Sequence, residues 1–307
     1  MIPVLAHLLV FLVVPPFLLG VVQRIKAIFA GRRGPPLLQV YYDLGKLLRK
    51  GAVYSRTTTW IFRAGPVVSL AAVVTGGLLV PIAGIPAPLA FSGDFILLAY
   101  LLALARFFTV LAAMDTGSSF EGMGASREVT FGALTEPVLF AGLLVLAVGS
   151  HSLSLSEILG PDLHDLWVRA GPALVLVAVS FAILLLAENC RIPVDDPNTH
   201  LELTMVHEVM VLDHGGPDLA FILYGAALKF FLFAAILVRL VLPVSGNEPL
   251  AAAGLFLIGL LFVSALVGTV ESSMARLRLI RVPALLGGAL VLATVAIAVL
   301  FSVPGAR

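Results

Sequence analysis

Eight long apolar stretches constrain the fold of this chain more than any other feature of its sequence. Crossing the hydrocarbon core of a bilayer takes about 20 mostly apolar residues, and these stretches approach or reach that length. They cover approximately residues 3–23, 66–86, 94–113, 133–150, 172–187, 219–242, 250–270 and 284–303. The fifth is short, and we expect it to continue into the polar residues that follow. The pattern predicts an all-α, polytopic membrane protein with about eight transmembrane helices, in which residues 1–307 form a single integral membrane domain.

The composition supports a membrane protein and excludes several kinds of site. Only 12% of the residues are charged, whereas soluble domains average roughly 25%. A net charge of +1 gives no bulk attraction for nucleic acid. The single cysteine, Cys190, excludes an internal disulfide and any four-cysteine metal or iron–sulfur site made by this chain alone. We therefore expect any redox centre to belong to another subunit. No basic segment precedes the first apolar stretch, so we do not expect a cleavable signal peptide.

Basic residues are distributed unevenly between the loops, and this distribution predicts the orientation in the membrane. The loops after the first, third, fifth and seventh stretches hold 14 of the 19 lysines and arginines, whereas the opposite side holds only Arg169 and Arg307. Positively charged loops tend to remain in the cytoplasm. We therefore expect both termini to lie outside.

The first cytoplasmic loop contains a predicted amphipathic helix. Glycines and prolines within residues 31–36 predict a turn. From Leu37 onward, apolar residues recur at helical spacing opposite charged ones, so we expect the helix to lie in the interface plane of the bilayer. It either anchors the chain on anionic lipid or forms, with the turn at Arg32 and Arg33, a docking floor for a cytoplasmic partner.

The third stretch holds an arginine, Arg106, near its middle. A central arginine costs at least about 2.5 kcal/mol on insertion scales, so we expect it to face the bundle and meet a carboxylate. Asp115 and Glu136 are both candidates. The segment that contains both candidates, residues 115–137, is rich in small side chains, which predicts a pliable loop. No Gly-Lys-Ser/Thr follows, which excludes a phosphate-binding loop.

A polar segment between the fifth and sixth stretches holds a dense group of titratable side chains. This acidic loop, residues 187–214, reads AENCRIPVDDPNTHLELTMVHEVMVLDH. Asp196 before Pro197 is a good N-cap, so we predict a helix from Pro197 to about Leu212. The histidines of this stretch are His200, His207 and His214. They would share one face of the helix, but seven residues rise about 10.5 Å, whereas zinc–nitrogen bonds are about 2.0–2.1 Å long. The spacing argues against a shared metal, and a solvated face is the structural alternative.

The carboxylates of the acidic loop are candidates for proton exchange under working conditions. Asp195 and Asp196 are neighbours, and Glu188 ends an apolar stretch; both placements favour the neutral form of a carboxylic acid. Lys229 lies near the middle of the sixth stretch, and intramembrane ionisable residues are functional candidates by default. Together these groups predict a polar route into the bilayer. Snorkelling of Lys229 is the alternative, although its depth argues against it. Glu271, at the edge of the seventh stretch, is not explained by the orienting role of the arginines that follow it.

Four segments carry a resemblance to a known family. They read GRRGPPLLQVYYDLGKLL, ARFFTVLAAMDTGSSFEGMGASRE, AENCRIPVDDPNTHLEL and ESSMARLRL. They resemble the membrane-anchor subunit of energy-converting nickel–iron hydrogenases, including the formate hydrogenlyase type. More distantly, they are similar to the membrane subunit of respiratory complex I that lines the quinone pocket. The resemblance covers nearly the whole chain.

The resemblance implies a subunit of a prokaryotic cytoplasmic (inner) membrane that binds no cofactor itself. Its expected partners are the large and small nickel–iron hydrogenase subunits, iron–sulfur subunits, antiporter-like membrane subunits and the lipid bilayer. The nickel–iron centre and the iron–sulfur clusters would belong to these partners. By position, Glu188, Arg191, Asp195 and Glu202 match the family's Glu-x-x-Arg-x-Pro-x-Asp pattern and the glutamate after it. Glu208 matches a later acidic position with a small gap.

The predicted site therefore has two parts. The residues predicted for the proton path are Glu136, Glu188, Asp195, Asp196, Glu202, Glu208, Lys229, Arg106 and Asp115. The residues predicted for partner docking are Arg32, Arg33, Gln39, Asp43, Lys46, Arg127, Glu128, Arg191, His200, His207, Arg276 and Arg278. No metal ligand is predicted. Asn198 and His200 stand where complex I relatives often have acids, which favours the hydrogenase branch.

Four functions are compatible with the sequence. The chain could anchor a hydrogenase arm and couple electron transfer to proton or sodium movement, or serve a quinone-reducing complex in the same way. A stand-alone secondary transporter is a third possibility, for which inverted repeats would be expected, and no internal similarity is evident. A purely structural anchor is the fourth, and it predicts that replacing Lys229 by leucine changes nothing.

Overall fold

The computed structural model describes residues 2–195, 205–243 and 249–302. Its α-helices are α1 (Ile2–Phe29), α2 (Gln39–Leu48), α3 (Trp60–Gly77), α4 (Asp94–Asp115), α5 (Ser119–Ser150), α6 (Leu155–Ile158), α7 (Leu163–Glu188), α8 (Gly216–Val241), α9 (Pro249–Ser273) and α10 (Val282–Ser302). Short 3₁₀ helices cover Glu208–Val211 and Leu279–Arg281. Eight of the described helices are long and apolar enough to cross a membrane, and these are all but α2 and α6. The predicted all-α, polytopic fold is confirmed.

Helix α8 forms the centre of the bundle. It packs against α1, α3, α7 and α9, and α2 contacts it from the side. Every residue from Phe230 to Leu240 is buried. The ring of Phe231 meets Phe11 of α1 and Phe256 of α9 edge to face, at centroid distances of 5.8 and 6.4 Å. Because protein surrounds α8, its single lysine, Lys229, lies inside the bundle.

The two adjacent prolines in α1 leave a carbonyl oxygen that a neighbouring helix uses. Pro16 has no N–H to donate to the carbonyl of Leu12, four residues earlier. The hydroxyl of Tyr224 on α8 donates to that oxygen at 2.7 Å. Tyr41 of α2 donates to the next carbonyl, that of Val13. Side chains of neighbouring helices thus satisfy the proline-containing part of α1, as is common in membrane bundles, and these bonds attach α2 and α8 to α1.

Three predicted spans, the second, the fourth and the fifth, have the wrong boundaries. The second covers Trp60–Gly77 rather than 66–86, because Pro81 cannot continue a helix and the residues after Gly77 form buried turns instead. The fifth covers Leu163–Glu188 rather than 172–187. It is longer at its beginning and ends at Glu188, so it includes only the first two residues of the acidic loop.

The segment predicted as a pliable loop is instead largely helical. Helix α5 begins at Ser119, whereas the fourth apolar stretch predicted a span from residue 133. The small residues of this segment allow close contact rather than flexibility. A Cβ atom at Gly124 would collide with the side chains of Val209 and Met210, which lie directly against α5. A short side chain is therefore required where the acidic loop meets the helix.

Asp94, at the start of α4, provides a test of stability far from the acidic loop. Its buried carboxylate accepts a hydrogen bond from the backbone N–H of Leu155 at 2.7 Å and from the hydroxyl of Ser154 at 3.0 Å. Asp94→Ala leaves both donors buried without an acceptor, and each such group costs about 1–3 kcal/mol. We expect the variant to lose about 2 kcal/mol or more of unfolding free energy, measured by unfolding in detergent. The exposed Asp162→Ala is the control, with a change within about 0.5 kcal/mol; equal stability of the two variants would contradict the prediction.

Candidate functional site

Arg106 of α4 is the centre of a group of buried charges. Its guanidinium donates to Glu136 at 2.6 Å and to Glu128 at 3.3 Å, both on α5. It also pairs with Glu188 at the end of α7. The prediction that Arg106 meets a carboxylate is confirmed, and Glu136 is the candidate that does so. The other candidate, Asp115, instead accepts hydrogen bonds at the start of α3.

Glu188 joins this arginine to the lysine of α8. One of its carboxylate oxygens accepts from Arg106 and from the hydroxyl of Thr135. The other oxygen lies 2.7 Å from Nζ of Lys229. Because Glu188 is the last residue of α7, the helix dipole disfavours its negative charge, and the two cations offset that effect. The snorkelling alternative for Lys229 is wrong, since its ammonium points to this carboxylate.

We call these groups the buried charge cluster: Arg106, Glu128, Thr135, Glu136, Glu188 and Lys229. It contains three carboxylates and two cations, which leaves a formal net charge of −1. An arginine remains charged in proteins, so the carboxylates and Lys229 are the members of the cluster whose protonation can change.

A cavity opens beside the buried charge cluster. Its polar wall includes four members of the cluster, Arg106, Glu128, Glu188 and Lys229, and also Cys190, Asn189 and His207 of the acidic loop. Its apolar wall is formed by residues of α3 and α8, namely Leu70, Val73, Phe221, Ile222, Gly225 and Ala226. A second, smaller cavity on the α5 side is lined by Cys190, Val194 and Asp195 together with members of the cluster. The acidic loop thus borders the cluster on two sides.

The described part of the acidic loop is held against the helices by hydrogen bonds and ion pairs. Asp195 accepts from the backbone N–H groups of Val206 and His207 at 3.0 and 3.4 Å, and it pairs with Arg276 at 2.8 Å. Arg127 donates to the carbonyl of Met205 at 2.8 Å. These contacts link the two described ends of the loop to each other and to α5.

The helix predicted from Pro197 to about Leu212 is wrong where the structure describes it. Residues 197–204 lie outside the described residues, and residues 205–212 form a turn and the 3₁₀ helix Glu208–Val211. Here the carboxylate of Asp195 takes two backbone N–H groups, and contact with α5 fixes the following residues. Tertiary contacts outweigh the local helix signal.

The two described histidines of this loop, His207 and His214, do not lie on one face of a helix. His207 lines the larger cavity, and its pKa is lowered by burial, which the nearby carboxylate of Glu128 partly offsets. His214 is stacked on Phe62 at a centroid distance of 3.9 Å. Burial also lowers the pKa of His214, against the opposite influence of Asp218 and Asp213.

The stacked His214 leads to a prediction about pH. Its pKa in the folded chain lies below the ordinary value of 6.5, so between these two values only the unfolded chain binds a proton at this site. Above about pH 6.5 the group has no effect on stability, and as the pH falls below 6.5 stability is lost. As the pH is lowered from about 8 to about 5.5, we expect the midpoint temperature of unfolding in detergent to decrease. We expect a smaller decrease in His214→Phe, which keeps an aromatic ring on Phe62. An identical pH dependence in the variant would contradict the prediction; His207 acts in the same direction and accounts for part of the remainder.

The residues predicted for docking occupy different environments. The amphipathic helix is present as α2, none of its residues is buried, and Gln39 donates to Asp43 on it at 2.9 Å. The exposed basic residues are Arg32, Arg33, Lys46 and Arg278. The others have partners within the chain: Glu128 belongs to the buried charge cluster, Arg191 pairs with Glu271 at 3.3 Å, and Arg276 pairs with Asp195. Docking by any of these residues stays a prediction.

Three residues predicted for the site, Asp196, His200 and Glu202, lie outside the described residues. Glu208 is half-buried at the start of the 3₁₀ helix. Within the described ranges, no three histidine, cysteine, aspartate or glutamate side chains come together as they would around a metal ion. The absence of a cofactor stays a prediction.

The sequence reasoning missed two groups of this site. Thr135, whose hydroxyl donates to Glu188, follows Gly132 by three residues on α5, and a Cβ at Gly132 would collide with the guanidinium of Arg106. The second is Lys26, which pairs at 2.7 Å with Glu271, a buried carboxylate that the sequence analysis singled out without a partner. A glycine and a threonine one turn apart, before an intramembrane glutamate, were the available signal for the first.

Comparisons with known proteins agree over nearly the full length of the chain. Residues 2–302 match the family described as NADH dehydrogenase. The chain is 34% identical over 282 residues to formate hydrogenlyase subunit 4 of Escherichia coli, covering 90% of each protein. It is also 34% identical over 279 residues to hydrogenase-4 component C of the same organism, covering 89% of this chain and 87% of that one. Among solved structures, a chain of the membrane-bound sulfane sulfur reductase, an archaeal respiratory membrane complex, is similar with a TM-score of 0.79. That match covers 97% of this chain and 98% of the other at 19% identity, which shows a shared fold.

Proposed function

We propose, from the premise that this chain belongs to the NADH dehydrogenase family, that it is the membrane subunit of an energy-converting hydrogenase complex. In this role it docks a cytoplasmic nickel–iron hydrogenase arm and couples electron transfer to the movement of protons or sodium ions. The resemblance drawn from four sequence segments is confirmed by the family match and by two hydrogenase-complex relatives at 34% identity. The chain is a multi-pass membrane protein.

The observation that carries this proposal is the buried charge cluster at the inner end of the acidic loop. Ionisable residues inside a membrane bundle are costly and are functional candidates by default. Here Glu188, the second residue of the acidic loop, contacts both Lys229 in the middle of α8 and Arg106 in the middle of α4. A change in charge at the loop therefore acts directly on titratable groups at membrane depth.

The geometry supports entry of a proton from the acidic loop and exit to the side. The larger cavity, bordered by Cys190 and His207, opens beside Glu188 and Lys229. Beyond Lys229, α8 is buried and almost entirely apolar from Phe230 to Leu240, which opposes a direct path along this helix. From Arg106 the cluster extends to Glu136, whose side chain is 43% exposed on the outside of the bundle. A carboxylate exposed there is best satisfied by a neighbouring membrane subunit, and we propose an antiporter-like one.

Coupling in this proposal is electrostatic. A change of charge in the docked arm shifts the protonation of the acidic loop and of Glu188, and the cluster then passes the proton to Glu136. The exposed basic turn at Arg32 and Arg33, together with α2 and Arg278, forms the docking floor. The orientation follows from the positive-inside pattern: the acidic loop faces the cytoplasm and both termini lie outside. The nickel–iron centre and the iron–sulfur clusters belong to the partner subunits.

The test is purification of the complex through an affinity tag on this chain, followed by reconstitution into vesicles. We expect nickel–iron hydrogenase, iron–sulfur and antiporter-like subunits to co-purify. We also expect hydrogenase turnover to drive ion uptake that an ionophore abolishes. If the purified chain transported ions alone, the stand-alone transporter would replace this proposal. Turnover without any ion movement would leave only the anchor.

A quinone-reducing complex is the second candidate, and one observation favours it. The larger cavity has an apolar wall from α3 and α8 and a charged end at Glu188 and Lys229, an arrangement that suits a molecule with a polar head and an apolar tail. Quinone content and quinone-dependent turnover of the purified complex distinguish the two candidates. Hydrogen evolution that needs no quinone favours the hydrogenase.

A further inference from the structure

Glu271, which the orienting charge pattern does not explain, connects three parts of the molecule. Its side chain is completely buried near the end of α9. One carboxylate oxygen lies 2.7 Å from Nζ of Lys26 on α1, and the other lies 3.3 Å from the guanidinium of Arg191 in the acidic loop. The two helices approach closely one turn earlier, where a Cβ at Gly268 would lie 3.0 Å from the carbonyl oxygen of Val22. A single anion thus separates two cations inside the protein.

Arg191 is the residue through which Glu271 acts on the acidic loop. Its guanidinium lies 5.6 Å from the ring centroid of Phe230, the residue after the lysine of the buried charge cluster. Its backbone N–H donates to the carbonyl of Leu186 at 2.8 Å, which closes the end of α7 around Glu188. The position of Arg191 therefore influences where the carboxylate of Glu188 is presented.

The residues after Glu271 hold the same loop at two more points. Arg276 pairs with Asp195 at 2.8 Å, and the backbone N–H of Leu277 donates to the carbonyl of Pro193 at 2.9 Å. The end of α9 and the segment after it therefore contact the acidic loop at three of its residues, Arg191, Pro193 and Asp195. This repeated contact fixes the loop relative to α9 and, through Lys26, relative to α1.

We infer that Glu271 is a positioning residue for the ion path: it holds Arg191 against α8 and ties the acidic loop to α1, and it does not itself carry the ion. The inference rests on the proposed function. Both of its oxygens are paired with cations. Neither cavity beside the buried charge cluster is lined by Glu271. Its neutralisation would leave Lys26 and Arg191 facing each other, and their repulsion would displace the loop.

A charge-balance experiment in the complete complex separates positioning from ion carriage. We expect Glu271→Gln to slow ion translocation about tenfold and Lys26→Gln to slow it less than about threefold. The double variant removes one cation together with the anion, so we expect it to recover to within about threefold of the parent. A double variant as inactive as Glu271→Gln would show that the carboxylate itself is needed and would overturn the inference. The exposed Glu157→Gln is the control and is expected to match the parent.

The single cysteine of this chain supplies a readout that does not depend on ion movement. Cys190 borders both cavities, one residue from Arg191. We expect its modification by N-ethylmaleimide, quantified on this subunit by mass spectrometry, to be about tenfold faster in Glu271→Gln and close to the parent rate in the double variant. An unchanged rate in Glu271→Gln overturns the inference. If the parent complex moves no ions, the proposed function fails while this measurement still decides the positioning role. Should Glu271→Gln not assemble, Glu271→Asp replaces it, with a smaller expected acceleration, and a parent rate in that variant overturns the inference.

Discussion

Substituting Lys229 with methionine is expected to abolish coupled ion movement while the complex still assembles. One oxygen of Glu188 would keep Arg106 and the hydroxyl of Thr135 as partners. These contacts support assembly, although the other oxygen loses its cation. The variant loses the cation that can change its protonation, whereas the arginine that remains stays charged. We expect translocation per turnover to fall at least about tenfold, equivalent to about 1.4 kcal/mol in the coupling step. It is measured in vesicles during hydrogenase turnover.

The matched control for this substitution is Lys50→Met. Lys50 is exposed after α2 and has no part in the buried charge cluster, so the same chemical change is made outside the bundle. Translocation at the parent level in both variants would remove Lys229 from the ion path. That outcome would favour the purely structural anchor. Loss of the docked arm from Lys229→Met would instead assign this lysine to assembly.

The helices could be predicted from the sequence because length and hydrophobicity are local properties. Each of the eight apolar stretches overlaps a described membrane helix. The partner of Arg106 could be narrowed to two carboxylates, Asp115 and Glu136, for a similar reason, because a charge at membrane depth requires a counter-charge. Pairing of Lys229 with Glu188 follows the same rule. In each of these predictions, the alternative arrangement would have a large free-energy cost.

The remaining features depend on contacts between distant residues. Pro197 is a strong local signal for a helix start, yet the described residues that follow form a turn and a 3₁₀ helix, because Asp195 and α5 hold them. The glycines around Gly124 predict a loop, yet they lie in helix α5. A larger side chain at Gly124 would collide with Met210. Glu128 is predicted for docking, yet it pairs with Arg106. Its place beside Arg106 depends on how α4 and α5 meet, which no local pattern contains.

Arg106→Met is expected to have a large effect on stability. The guanidinium is the common partner of Glu128, Glu136 and Glu188. Without it, Glu128 and Glu136 lose this cation, and Glu188 keeps only Lys229 of its two cations. Removing one partner of a buried ion pair costs about 3–5 kcal/mol, because the remaining charge is left uncompensated. We expect little of this variant in the membrane fraction and a clearly lowered unfolding midpoint in detergent.

Arg106→Lys separates charge from geometry at the same position. A lysine keeps the positive charge, but its compact ammonium does not reproduce the several directions of a guanidinium, so we expect an unfolding midpoint between those of the parent and Arg106→Met. The control is Arg63→Met, because Arg63 is exposed and its main described contact is with the ring of Tyr54 at 4.3 Å. Gly132→Ala should act on Arg106 without changing its charge, since a Cβ there would lie 2.7 Å from a guanidinium nitrogen. If Arg106→Met unfolds at the same temperature as Arg63→Met, the three carboxylates do not depend on the arginine, and the charge cluster is not the element that holds α4, α5 and α7 together.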